Sequence, residues 1–331
     1  MRKRAKVVIT DFQTEPLDEE RRILDDLASV EALNAVAEKE LIGRIEDADC
    51  VILYHLLTLT RRTIDQLAKC RLIVRGGVGF DNVDGAAARA RGIPVANVPD
   101  YGTEDVADSA LGMTLALTRG IHFLNNFLQA RKGPWTHTHA APVRRLRGRV
   151  FGVIGLGRIG TAAALRAKAF GMEVVFYDPF VPQGRDKSLA VRRAETLSEL
   201  LKQSHVVSLH CPLTPETKHL INRDTLALLP RGSFVVNTAR GGVVDVLAVL
   251  EGVTSGQLAG AGLDVLETEP PADDHPLMVA WRDPQNPIHD RVIVNPHAAF
   301  YSEEGAIDMR VKAAQNCRRV LLGEAPWNVV N

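Results

Sequence analysis

Long apolar runs are missing from this 331-residue chain. No window approaches the ~18 apolar residues that a membrane helix needs, and Val7-Val8-Ile9 is too short for a signal-peptide core. The basic start Met1-Arg2-Lys3-Arg4 therefore reads as a solvated end, and no membrane is expected among the partners. Cysteine is sparse as well. Cys50, Cys70, Cys211 and Cys317 are scattered without a CxxC pair, which argues against a structural zinc or a redox dithiol. No metal site is expected, and the pattern predicts a reducing, cytoplasmic setting. An excess of charge is likewise absent: Lys plus Arg and Asp plus Glu number 40 each, so no global field favours a polyanion. The one basic run, Arg144, Arg145, Arg147 and Arg149, lacks interleaved aromatics. It reads as a solvated or subunit-facing arm, and no nucleic acid is expected. Repeats of solenoid length and low-complexity tracts are missing too.

What is present is the balance of a soluble globular protein, 46% apolar and 24% charged, in a chain long enough for two domains. Short apolar runs alternate with stretches of helical period, the signature of parallel sheet with crossover helices. The runs Lys6–Thr10, Val51–Tyr54, Leu72–Arg75 and Val95–Val98 form a first series, separated by helical stretches such as Glu19–Leu27 and Thr63–Lys69. A second series runs through Arg149–Ile154, Glu173–Tyr177, His205–His210, Ser233–Asn237, Ala259–Val265 and Arg291–Val294. The fold class expected is α/β, with two Rossmann-like doubly wound parallel-sheet domains and the active site in the cleft between them. Long helices are expected from Thr103 to about Thr118 and from Ser302 to the neighbourhood of Gly323, bridging the domains. If the last one packs on the first domain, that domain is discontinuous, 1–101 plus 302–331. The second is then 102–301, carrying an arm around 121–147. Pro270–Arg291 shows no periodicity and reads as a loop; Trp281 and Arg282 are its candidates for substrate contact.

The turn Gly155-Leu156-Gly157-Arg158-Ile159-Gly160 follows an apolar strand and opens a helical run, Thr161–Phe170. Its first glycine permits the tight turn, its second lets backbone approach a pyrophosphate, and its third brings helix and strand close. Asp178 ends the next strand, eighteen residues past Gly160, where a carboxylate accepts hydrogen bonds from the adenosine ribose. It repels a 2′-phosphate, and no basic residue follows directly, so NAD is favoured over NADP. Farther on, Arg240, Glu269 and His297 follow successive strands of the same series. A guanidinium fork for a carboxylate, a proton donor and an acid beside that donor are what hydride transfer to a 2-oxo acid requires.

Together the glycine turn with its Asp, the stretch Asn237-Thr238-Ala239-Arg240-Gly241-Gly242, Asp264-Val265-Leu266-Glu267-Thr268-Glu269-Pro270 and Pro296-His297 resemble the D-2-hydroxyacid dehydrogenase family over nearly the whole chain. Within it, Tyr54-His55, Gly79-Phe80-Asp81-Asn82, Arg166–Gly171 and His297–Glu303 look most like the C-terminal-binding-protein branch, NAD(H)-binding corepressors, and its bacterial relatives.

The resemblance implies that Arg240 binds the substrate's carboxylate and oxo group while His297 acts as acid in reduction and base in oxidation. Glu269 would hydrogen-bond the imidazole and raise its pKa. Hydride would pass between substrate C2 and nicotinamide C4. Beyond the turn, the resemblance places Cys211, Pro212, Thr217, Thr238, Ala239, Asp264, Val78 and Val106 around the cofactor. It places Gly77, Val78 and Gly79 at the substrate carboxylate, with Arg75 as a further contact. Phe300 stands where the corepressors carry a tryptophan against substrate, so their preferred oxo acids need not transfer. A homodimer through the nucleotide domain and the 121–147 arm is implied. Other outcomes are a non-catalytic, NAD(H)-sensing partner-binding protein, a phosphoglycerate dehydrogenase, or a glyoxylate/hydroxypyruvate reductase.

Overall fold

The structure, a computed structural model, describes residues 4–140 and 142–331. Three residues of the basic start, Met1, Arg2 and Lys3, and Ala141 of the arm lie outside the described residues. The chain divides into two compact units, Met1–Gly102 with Ser302–Asn331, and Thr103–Tyr301.

The first unit holds five parallel strands, β1 (Ala5–Ile9), β2 (Ala28–Ala32), β3 (Cys50–Leu53), β4 (Leu72–Arg75) and β5 (Val95–Asn97), in the order β2-β1-β3-β4-β5. Registers such as Val7↔Cys50, Cys50↔Leu72 and Ile73↔Val95 align the strands so that their carboxyl ends share one edge. Because side chains alternate along a strand, Val8, Val51, Leu53, Ile73 and Val95 enter one core with Leu41, Ile45 and Ile64. Val7, Ile9, Ile52 and Val74, fully buried, point to the opposite face. Burial on both faces explains why these strands read as continuous apolar runs. The last helix, Glu303–Leu321, belongs to this unit. The hydroxyl of Ser302 caps it by accepting from the Gly305 N–H at 2.9 Å. Arg310 on this helix donates to both oxygens of Glu20, at 2.8 and 2.6 Å, and the Glu20 carboxylate is fully buried.

The second unit holds seven parallel strands: β6 (Val150–Ile154), β7 (Glu173–Tyr177), β8 (Arg192–Arg193), β9 (Val206–Leu209), β10 (Ser233–Asn237), β11 (Leu258–Leu263) and β12 (Val292–Val294). Their order is β12-β11-β10-β9-β6-β7-β8. Phe151, Val153, Val174, Phe176 and Val236 pack under helices Thr103–Arg119 and Arg158–Ala169. Val150, Ile154, Val175, Val207 and Val235 face the opposite core with Leu200, Leu201 and Val249. The strand order reverses between β6 and β9, and at such a switch point doubly wound sheets hold their ligands.

Three stretches differ from the sequence expectation. Strands β2 and β8 were not expected; β2 is a half-exposed edge strand and β8 has only two residues. Pro270–Arg291 is no plain loop but contains helices Pro276–Arg282 and Pro287–Arg291. Each starts with proline in its first turn and is capped by the residue before it: His275 Nδ1 accepts from Leu277 N–H at 3.2 Å, and Asn286 Oδ1 from Ile288 N–H at 3.0 Å. Helices of five and seven residues are too short to show a period. Trp281 is a packing residue here. Its indole N–H donates to the Val292 carbonyl at 3.0 Å and its ring lies against the core, while Arg282 pairs with Asp273 at 2.8 Å. In the arm, Ile121–Gln129 is helical and His137–Ala140 forms one 3-10 turn; Arg144, Arg145 and Arg147 are exposed. Among the described residues no helix is long and apolar enough to cross a membrane.

Candidate active site

At the switch point, β6 runs into the glycine turn and then into helix Arg158–Ala169. Gly155 adopts φ +88°, and a Cβ there would come within 2.8 Å of Cys211 N, the residue that follows β9 and its neighbour His210. A Cβ on Gly160 would lie 2.0 Å from the Gly155 carbonyl oxygen, so helix and strand meet here backbone to backbone. Gly157 is the contrary case, with nothing within 4 Å of its Cβ direction. The turn is thus crowded behind and open in front. There the first N–H groups of the helix, which have no intrahelical acceptor, are available to an anion. Asp178 follows β7 and ties the turn together: Oδ2 accepts from Leu156 N–H at 2.8 Å and Oδ1 from Phe180 N–H at 2.9 Å. Each oxygen keeps a second lone pair for a ribose hydroxyl.

The neighbouring strand ends add further groups. After β9, burial pushes the Cys211 thiol up to about 11. The Thr217 hydroxyl donates to the Pro212 carbonyl and accepts from Thr214 N–H, both at 2.7 Å, fixing that loop. After β10, Thr238 Oγ1 is buried with no hydrogen-bond partner among the described residues. A buried orphan hydroxyl at a strand end of the same sheet that carries the open, anion-ready turn fits a polar ligand such as NAD. Val106 is buried on helix Thr103–Arg119.

Fully buried Asn237, given no role of its own in the sequence reading, shapes the β10 turn. Its Oδ1 accepts from Ala239 N–H at 3.0 Å and its Nδ2 donates to Arg240 O at 2.9 Å. Only an Asn at a strand end signalled it. Beyond this turn the β10 and β11 loops touch directly: a Cβ on Gly241 would lie 1.9 Å from the Leu266 carbonyl carbon. Leu266 N–H donates to Glu269 Oε1 at 2.8 Å, and Glu269 Oε2 meets His297 Nδ1 at 2.7 Å. Burial pushes the Glu269 carboxyl up, but the His297 hydrogen bond and charge, the Leu266 N–H and the Arg240 charge together hold it below its ordinary value.

Asp264, 2% exposed at the end of β11, braces the histidine loop. The Ala298 N–H donates to Oδ1 at 2.9 Å, the Ala299 N–H to both oxygens at 3.1 and 3.0 Å, and His297 N–H to the Asp264 carbonyl at 2.7 Å. Burial raises this carboxyl's pKa. The loop holds His297 at φ +53° with Phe300 edge-on to its ring, centroids 6.0 Å apart. The second unit therefore brings Arg240, Glu269 and His297 onto adjoining loops. Arg75, Gly77, Val78 and Gly79 lie in the first unit, where β4 ends.

Residues 111–299 match the model for the D-isomer specific 2-hydroxyacid dehydrogenase NAD binding domain. This chain belongs to that family. It is 37% identical over 327 residues to D-3-phosphoglycerate dehydrogenase of Methanocaldococcus jannaschii, covering 98% of this chain and 59% of that protein. It is 33% identical to C-terminal-binding protein 1 of Caenorhabditis elegans, covering 94% of this chain and 43% of that one. The chain thus spans less than two thirds of the length of these curated relatives, 59% of the first and 43% of the second. Among solved structures, D-lactate dehydrogenase from Aquifex aeolicus, complexed with NAD and lactic acid, superposes with a TM-score of 0.85 at 29% identity, covering 96% of each chain.

Proposed function

We propose that this protein is an NAD-dependent 2-hydroxyacid dehydrogenase that reduces a small 2-oxo acid or oxidises the corresponding 2-hydroxy acid. The observation that carries the reading is the 2.7 Å contact between Glu269 Oε2 and His297 Nδ1, one loop from Arg240. A carboxylate accepting at Nδ1 keeps the proton there, so Nε2 is the atom that gives or takes a proton. Arg240 binds the carboxylate and polarises the oxo group. NAD, when bound, supplies the hydride chemistry. Gly155, Gly157, Arg158, Ile159 and Gly160 would hold its pyrophosphate and Asp178 its ribose; Cys211, Pro212, Thr217, Thr238, Ala239, Asp264, Val78 and Val106 would line the rest.

On this reading the first unit is the substrate domain. The N–H groups of Val78 and Gly79 receive the substrate carboxylate, beside Gly77 and Arg75, and Phe300 limits the side chain that fits. The assembly proposed is a cytoplasmic homodimer through the 121–147 arm. Helix Ile121–Gln129 has no buried residue although it carries Phe123, Leu124, Phe127 and Leu128, and Trp135 is 89% exposed.

NADH oxidation against pyruvate, glyoxylate, hydroxypyruvate and 3-phosphohydroxypyruvate tests the reading and names the substrate. The kinship with C-terminal-binding protein 1 supports the second reading, an NAD(H)-sensing partner-binding protein. NADH binding without turnover of any 2-oxo acid would select it and reject the first.

A further inference from the structure

Beyond β4 the Gly76–Gly79 loop turns its carbonyls back into its own unit. Gly76 O accepts from Arg75 Nη1 at 3.3 Å, Gly77 O from the Val98 N–H at 3.1 Å, and Val78 O from Asn97 Nδ2 at 2.6 Å. In a trans peptide the carbonyl of one residue and the N–H of the next point in opposite directions. The bond to Gly77 O therefore orients the Val78 N–H, and the bond to Val78 O orients the Gly79 N–H. Both N–H groups are turned away from the end of β5, and neither meets a protein acceptor among the described residues. Asn97 is the last residue of β5, 7% exposed, so the sheet and not the loop delivers its amide.

Resting on the reading that these two N–H groups receive the substrate carboxylate, we propose that Asn97 is a positioning residue of that clamp. Donation from Nδ2 into the Val78 carbonyl fixes the plane of the Val78–Gly79 peptide. It also polarises that peptide, because an amide whose oxygen accepts a hydrogen bond is a stronger donor through its N–H. Val98 N–H does the same for the preceding peptide, but as a backbone group it is available in any sequence. Asn97 is the side chain on which the clamp depends, and substrate is the ligand that senses it.

Kinetics and amide resonances test this in the 331-residue chain with NADH. Asn97→Ala is expected to raise KM for the accepted 2-oxo acid about tenfold, the effect of one hydrogen bond near 1.4 kcal/mol, while the NADH Kd stays within about twofold. Asn97→Asp keeps the shape and carries the test if the alanine variant does not fold. Its carboxylate repels the Val78 oxygen and its protonated form donates to it, so its KM should fall as pH falls, relative to wild type. Oxalate, a non-reacting dicarboxylate, should shift the Val78 and Gly79 amide resonances in wild type and much less in N97A. A folded N97A with unchanged KM, or with KM and NADH Kd rising together, overturns the proposal. Equal oxalate shifts in both proteins overturn it as well. No shift of either amide in wild type overturns the clamp reading itself.

Discussion

His297 meets Glu269 because two backbone devices hold them: Asp264 pins Ala298 and Ala299, and the Leu266 N–H pins the far oxygen of Glu269. Replacing His297 with Gln is expected to abolish turnover and leave NADH affinity nearly unchanged, since the glycine turn and Asp178 lie on other loops. Stopped-flow NADH titration beside steady-state rates checks both halves; persistent turnover would move the proton donor elsewhere. Glu269 makes a claim about pH. Its carboxyl titrates below the ordinary value, burial opposing and His297 prevailing. A group with a depressed folded pKa contributes fully above its unfolded value, about 4.3, and loses that contribution as pH falls through the folded one. Glu269→Gln has nothing to lose in that window. Its Tm should therefore decline less steeply than that of wild type between roughly pH 4.5 and 3. Parallel Tm curves would mean that the pair does not form in solution.

At the scale of elements, the sequence was most readable where strands are buried on both faces. β4, β7 and β10 fall where the apolar runs place them, and the others within one or two residues. Two of the four edge strands are another matter: β2 alternates with Ser29 and Glu31, and β8 is two arginines, so neither carries an apolar run. The glycine turn and the Arg240, Glu269 and His297 loops were legible as strand ends, because the proposed chemistry needs particular residue types there. Asn237 and Asn97 were not, since an asparagine that braces a turn looks like any other turn residue. Trp281 shows how an aromatic in a segment without period misleads. Its indole N–H holds Val292 O, so Trp281→Phe should lower stability by about 1 kcal/mol and leave kcat/KM intact. A specific loss of kcat/KM in a stable variant would return it to the substrate. Asp178 joins β7 to the glycine turn through its bond from the Leu156 N–H. Asp178→Ala should weaken NADH binding and narrow the preference over NADPH, read as a ratio of Kd values; an unchanged ratio would remove its ribose role.

For the whole molecule, the linkage that matters most joins Glu20 to Arg310, 290 residues apart in sequence and in one unit. Arg310→Leu would leave the fully buried Glu20 carboxylate without its cation, at a cost of about 3 kcal/mol. Chemical denaturation would read this as a shift in midpoint, with unfolding confined to residues 1–102 and 302–331 if the units melt separately. A midpoint equal to that of wild type would show that the pair contributes nothing. The same linkage has a temporal side. On the ribosome the first unit is made in two instalments. Its five strands emerge early, but the helix Glu303–Leu321 that carries Arg310 arrives only after all of Thr103–Tyr301 has been synthesised. At about 5–20 residues per second, that interval is on the order of 10–40 s. During it β4, against which the helix Glu303–Leu321 packs, lacks that cover, while the second unit has already emerged and is free to fold.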